Sequence, residues 1–284
     1  MFNAANKTIA ALMIAAALVS CGENNKEKAQ ALLDEASSLV ERGDYGAAIE
    51  VIDTLDTRYA KEIDVRKQGL LCRARAVEGL AKDSIIAADD MLTHSIEQME
   101  AREKDFEHIK LPNGLDGYFI AKSIYEKNAM NKTGIQPRVE DSEGYFQLAV
   151  NIHGRKIGFE RVSVNNGGNV VTTVAVNPGR LVTVEGSELV VLTQEEATPL
   201  VEALKANPGI DEYKLCGAKN SITVKLMSKM RDAIINSYDY AMSIQANRLA
   251  QIKREKFERQ LQMARDQIAN NLPSEALSSE PRED

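Results

Sequence analysis

Residues 145–152 read Tyr-Phe-Gln-Leu-Ala-Val-Asn-Ile. Phe146, Leu148, Val150 and Ile152 alternate with Tyr145, Gln147, Ala149 and Asn151, the two-residue period of a strand with one face in a core. Similar runs cover residues 156–164, 169–176, 180–184 and 188–192. Between them stand His153-Gly154, Asn165-Asn166-Gly167-Gly168, Asn177-Pro178-Gly179 and Glu185-Gly186-Ser187, residues suited to tight turns. A short helix is expected from about Thr198, with Pro199 in its first turn and a stop at Asn207-Pro208-Gly209, followed by strands at 213–216 and 221–225. Successive hairpins predict an antiparallel β domain over residues 111–224.

Moving outward, the period changes to that of a helix on both sides. Ile85, Leu92, Met99 and Phe106 recur every seven residues, with Ala88 and Ser95 at the companion positions of a heptad seam, so a helix over residues 84–108 needs a partner. Residues 226–271 hold no Pro or Gly and carry Met230, Ile234, Tyr238, Ala241, Met242, Gln245, Leu249, Ile252, Phe257, Leu261, Ala264 and Ile268 along one face. At 1.5 Å per residue this second helix is about 69 Å long against about 37 Å for the first. The fold expected is therefore α+β, with the β domain inserted between two long helices packed as an antiparallel coiled-coil stalk. About 30 Å of the C-terminal helix, residues 225–271, is left to close the N-terminal helices. Residues 272–284 carry too little apolar content to order.

Residues 29–110 are expected to be helical throughout. Leu32, Ala36, Leu39, Gly43, Tyr45, Ala48, Ile52 and Leu55 resemble a tetratricopeptide repeat, in which small residues sit at the helix crossing and a glycine ends the first helix. A second, degenerate pair is expected from residues 66–79 and 84 onward. The resemblance implies grooves that receive peptides or partner helices. Glu23–Asp64 holds eleven acidic and five basic residues, whereas Arg248–Arg265 holds six basic and two acidic, so Tyr45, Arg254 and Arg259 are the candidate interaction surface. Docking on the chain's own acidic helices, on anionic headgroups or on a second copy are the alternatives.

Composition excludes several classes. The chain has 42 Asp+Glu against 35 Lys+Arg, net -7, which disfavours nucleic acid because phosphate neutralisation needs concentrated cations. It has no Trp and three His. His94 and His108 are read as lying on one helix about 21 Å apart, and His153 has no nucleophile near it in sequence. Asn165–Asn169 lacks the Lys and Ser/Thr of a phosphate loop, and Glu140, Asp141 and Glu143 lack the full spacing of a calcium loop. No catalytic residue, cofactor or metal is expected. Tyr118-Phe119 and Tyr145-Phe146 both follow an acidic residue and a Gly and read as core aromatics at strand starts rather than a ligand-stacking pair. Cys72 and Cys216, each among apolar neighbours, are expected to be free thiols.

Residues 1–20 combine Lys7, an apolar run from Ile9 to Val19, and then Leu18-Val19-Ser20-Cys21. The run is too short to span a bilayer. The segment resembles the lipobox of bacterial lipoproteins, which implies a signal peptide over residues 1–20, diacylglycerol on Cys21, a tether over residues 21–28 and, with Gly22 after the cysteine, an outer-membrane address on either face. The expected function is a lipid-anchored, non-catalytic adaptor for another envelope protein, with ligand capture by the β domain as the alternative. Cys21→Ser should yield an exported chain that incorporates no labelled palmitate; continued labelling would exclude Cys21 as the anchor.

Overall fold

The computed structural model describes residues 23–112, 117–126 and 132–271. The segment that resembles a lipobox, Leu18-Val19-Ser20-Cys21, and residues 272–284 lie outside the described residues. The chain divides into a helical unit, drawn from Met1–Asp83 and Phe257–Asp284, and a β unit, Ser84–Lys256. The mixed α+β class stands, with antiparallel sheets and a long C-terminal helix.

In the helical unit, α1 (Glu23–Glu41) and α2 (Tyr45–Arg58) form a hairpin. Residues 23–28, read as part of a tether, are the first turns of α1. Gly43 ends that helix at φ +81°, and the N–H groups of Gly43 and Asp44 return to the carbonyls of Val40 and Leu39 at 3.0 and 2.9 Å, a Schellman closure that a side chain would strain. Ala29, Leu33, Ala36, Ile52 and Leu55 make the core with Val65 and Cys72, as the spacing predicts. The second hairpin does not exist: α3 runs unbroken from Ile63 to Glu103. Gly79, read as a helix end, lies inside it, and a Cβ there would collide with the Tyr45 ring. A mid-helix Gly costs about 1 kcal/mol, and here it makes room for an aromatic ring against the helix. In the same unit, Ala264 is buried and Arg265 Nε lies 3.5 Å from Glu78 Oε1, so the last part of α5 (Ser228–Asn271) packs with α3. The Lys82 hydrogen bond, then Lys82 and Arg265 charge, hold Glu78 below the usual carboxylate value despite some burial.

In the β unit, α3 and α5 run antiparallel. Arg102 meets Asp239 at 4.0 Å, Ser95 accepts from Asn247 at 3.2 Å, and Asp89 pairs with Arg254 at 2.7 Å. The α3 heptad turns inward, with Ala88 and Ser95 buried. The expected α5 stripe holds in part, with Ile234, Ala241 and Ala264 buried. Leu249 and Ile252 are 49% and 54% exposed, whereas Ala233, Ser237, Ser243, Asn247 and Ala250 are buried.

Three strands precede β4: β1 (Phe106–Ile109), β2 (Tyr118–Ala121), which starts at the Tyr118 expected to open a strand, and β3 (Gly134–Glu140). Phe106 and His108 therefore stand on a strand, not on a helix. Then follow β4 (Phe146–Ile152), β5 (Phe159–Asn166), β6 (Asn169–Thr172), β7 (Val182–Val184), β8 (Ser187–Leu192), β9 (Glu212–Gly217) and β10 (Ser221–Lys225). They form sheets of order β1-β2-β3-β4-β8-β7 and β10-β9-β5-β6. Pro137 of β3 pairs with Leu148, but its other side lies beyond the β2 ladder, so the missing N–H breaks nothing. α4 (Gln194–Ala206) begins before its expected start, with Pro199 in its interior. Its N-terminus is a capping box, Thr193 with Glu196, which satisfies two backbone donors.

One core joins both sheets to α4 and to Ile234, Tyr240 and Ala241 of α5, so residues 111–224 do not close it alone. Phe106 stacks on Tyr240 at 4.6 Å between centroids. The sheets are tied at Glu188 of β8, 3% exposed, whose carboxylate accepts the backbone N–H groups of Ile157, Gly158 and Phe159 at 3.2, 2.9 and 3.2 Å. Tyr213 of β9 is a second tie. Burial pushes its phenol up to about 12 although the Ile135 backbone hydrogen-bonds it. Cys72 and Cys216 are both free.

Candidate functional site

The alternation that buries Phe146 and Leu148 turns Tyr145 and Gln147 of the same stretch to the opposite side of the six-stranded sheet. On that side, Arg138 donates from Nε to Gln147 Oε1 at 2.9 Å and lies 4.9 Å over the Tyr118 ring. Burial lowers its pKa from the ordinary arginine value, yet a guanidinium stays cationic at neutral pH.

A cleft of about 680 Å³ opens beside this row, the size of a small-ligand site. Its walls come from four places: Glu140 and Tyr145 at the β3–β4 turn, Gln147 and Val191 on the sheet, Arg180 from the turn before β7, and Gln194, Glu195 and Thr198 from the start of α4. Tyr145 is 50% exposed. Thus only half of the expected core-aromatic pair is core: Phe146 is buried and Tyr145 stands at the cleft.

The cleft is held from behind by α5. Gln194 Oε1 accepts from the Phe146 N–H at 2.9 Å and from Gln245 Nε2 at 2.7 Å. Gln245 also donates to the Gly144 carbonyl at 2.9 Å, and Arg248 reaches Ser142 O and Glu143 Oε2 at 3.1 and 2.6 Å. A Cβ at Gly144 would run into Ile244, so the glycine is required for this close approach as well as for its φ of +73°. Tyr145 and Glu140 therefore sit on a turn whose place is set by α5.

Arg180 is committed within the cleft wall, to Glu196 Oε1 and to the Val191 carbonyl. That carbonyl lies beyond the end of the β7–β8 ladder, where the side chain replaces a missing strand.

The residues singled out in sequence as an interaction surface are placed each within its own unit. Tyr45 lies against Gly79 in the helical unit, Arg254 pairs with Asp89 in the β unit, and Arg259 is exposed in the helical unit. Cys21 lies outside the described residues. The acidic residues of the β3–β4 turn diverge: Glu140 accepts from Ser142, Asp141 from His108 at 2.9 Å, and Glu143 from Arg248. His108 stacks on Phe119. His153 Nδ1 lies 3.5 Å from Ser187 Oγ, a proximity hidden in sequence by a separation of 34 positions, but this hydroxyl also receives the Gly154 N–H and lies outside the cleft. Comparison with known proteins finds no matching family model, curated protein or solved structure.

The cleft wall gives a pH signature. Burial raises the Glu196 carboxyl, but hydrogen bonds from the Thr193 backbone, Arg180 and the Thr193 hydroxyl, with Arg180 charge, outweigh it and leave the pKa below the usual value. A lowered native pKa stabilises the fold above the unfolded value, about 4.3, and that share is lost as pH falls through the native one. Arg180→Gln should therefore cost on the order of 1 kcal/mol at pH 7 in urea unfolding, and the difference should shrink below about pH 4. A pH-independent difference would contradict the pairing.

Proposed function

We propose that the protein is a non-catalytic binding protein of the bacterial envelope, anchored through Cys21, that takes its ligand in the Tyr145 cleft of the β unit. The observation carrying this reading is the half-bare Tyr145 ring in a cleft of about 680 Å³, on a turn that α5 braces through Gln245 and Arg248. A braced wall loses little freedom on binding, which favours affinity. The lipobox supports the anchor, an outer-membrane address and, through its attached acyl chains, contact with the membrane.

A scaffold role for the tetratricopeptide-like hairpin is the second reading. It is favoured by Ile63 and Leu70, seven residues apart on α3 and 60% and 49% exposed. A photoreactive amino acid at Tyr145, and separately at Leu70, distinguishes the two in cells. A mass-shifted adduct at Tyr145 and none at Leu70 is expected. Adducts with another envelope protein at Leu70 alone would overturn the cleft reading in favour of the scaffold.

A further inference from the structure

We infer that the cleft selects an organic cation, a primary ammonium or guanidinium group carried on an apolar stem, an inference that rests on the cleft being a binding site. The argument is one of unspent charge. Three formal charges line the cleft: Glu140, Glu195 and Arg180. Arg180 is already taken by Glu196 and by the Val191 carbonyl, so it neutralises the wall and offers little to an anion. Arg138, on the same side of the sheet, is spent on Gln147 and the Tyr118 ring. Among the described residues no cation forms an ion pair with Glu140 or Glu195. Among the described residues the Glu140 carboxylate accepts from the Ser142 hydroxyl alone.

The third element is the Tyr145 ring, 50% exposed and lining the same cleft. An aromatic face attracts a cation through its quadrupole, the more so where water is partly displaced. Carboxylates on the turn and on the first turn of α4, with the Tyr145 ring and Val191 lining the same cleft, match a charged head on an apolar stem. Neither an anion nor a neutral apolar molecule would use both features. Lysine or arginine side chains of a peptide, free polyamines and amine headgroups share this chemistry.

Titration of the ¹⁵N-labelled full chain with Nα-acetyl-lysine methylamide, with spermidine, and with the neutral isostere Nα-acetyl-norleucine methylamide tests the inference. Both cations should shift the amides of Tyr145, Gln147 and Glu195 saturably, and the isostere should bind at least ten-fold more weakly. Binding should weaken several-fold between 20 and 300 mM salt, as about four-fold shorter screening lengths require. Glu140→Gln and Glu195→Gln should each lower affinity about five-fold. Tyr145→Leu should lower it similarly while Tyr145→Phe retains it, because the ring rather than the hydroxyl is used. Amine-bearing vesicles and free spermidine, compared at equal amine concentration, separate a headgroup from a soluble source. Equal binding of the isostere, or tighter binding of Nα-acetyl-glutamate methylamide, would overturn the cation while leaving the cleft a site. Absence of shifts with every probe, together with no adduct at Tyr145 in cells, would overturn both.

Discussion

A carboxylate buried to 3% exposure is costly unless its lone pairs are filled, and Glu188 fills them with the consecutive N–H groups of Ile157, Gly158 and Phe159. Three amides can converge on one anion only if the backbone reverses locally, and Gly158 supplies the reversal at φ +66°. Such a nest is a concave set of partial positive charges. The same segment is gripped from its other side, where Ala218 and Lys219 donate to the carbonyls of Gly158 and Ile157 at 2.9 and 3.1 Å. Gly217 permits this, since a Cβ there would press on both carbonyls. Glu188 thereby pins β8, in one sheet, to the entry of β5, in the other. The end of β8 then sets Thr193, the cap of α4, and with it one wall of the cleft.

The opposite wall depends on α5. Gln245 and Gln194 stand 51 positions apart yet share a hydrogen-bonded pair that also holds the Phe146 amide. A displacement of this part of α5 would pull on the β3–β4 turn and on the start of α4 together. Occupancy of the cleft and the seating of this part of α5 are therefore linked, in the sense that each restricts the other.

The strands from β4 onward were legible because alternation and Gly/Asn turns coincide there, and the α1–α2 hairpin because Ala36, Ala48 and Ile52 follow the helical period. β3 was hidden by Pro137, which is harmless because the β2–β3 ladder ends at Phe119 and Val139, short of it. The start of α4 was written in Thr193 and Glu196, a capping box that Pro199 obscured. No rule of periodicity shows that Gly79 continues a helix, because the reason is the Tyr45 ring, contributed from 34 positions away. On α5, Ile234, Ala241 and Ala264 follow the expected face and are buried, whereas Leu249 and Ile252 of the same face are exposed. Of the cleft, Tyr145 could be singled out in sequence, but Arg180, Gln194 and Gln245 could not. Their roles arise from four elements converging, and none carries a local pattern.

The dependence of the β unit on Glu188 is open to direct measurement by native-state hydrogen exchange. The amides of Ile157, Gly158 and Phe159 lie in a segment that a sequence reading would treat as a strand start beside a glycine turn. Because they are bonded to a buried carboxylate, they should exchange only on global opening, with protection equal to that of the β4 core amides and lost at the same denaturant concentration. Exchange at the rate of the exposed turns, Asn166–Gly168 for example, would show that the nest opens on its own, and that the two sheets do not depend on it.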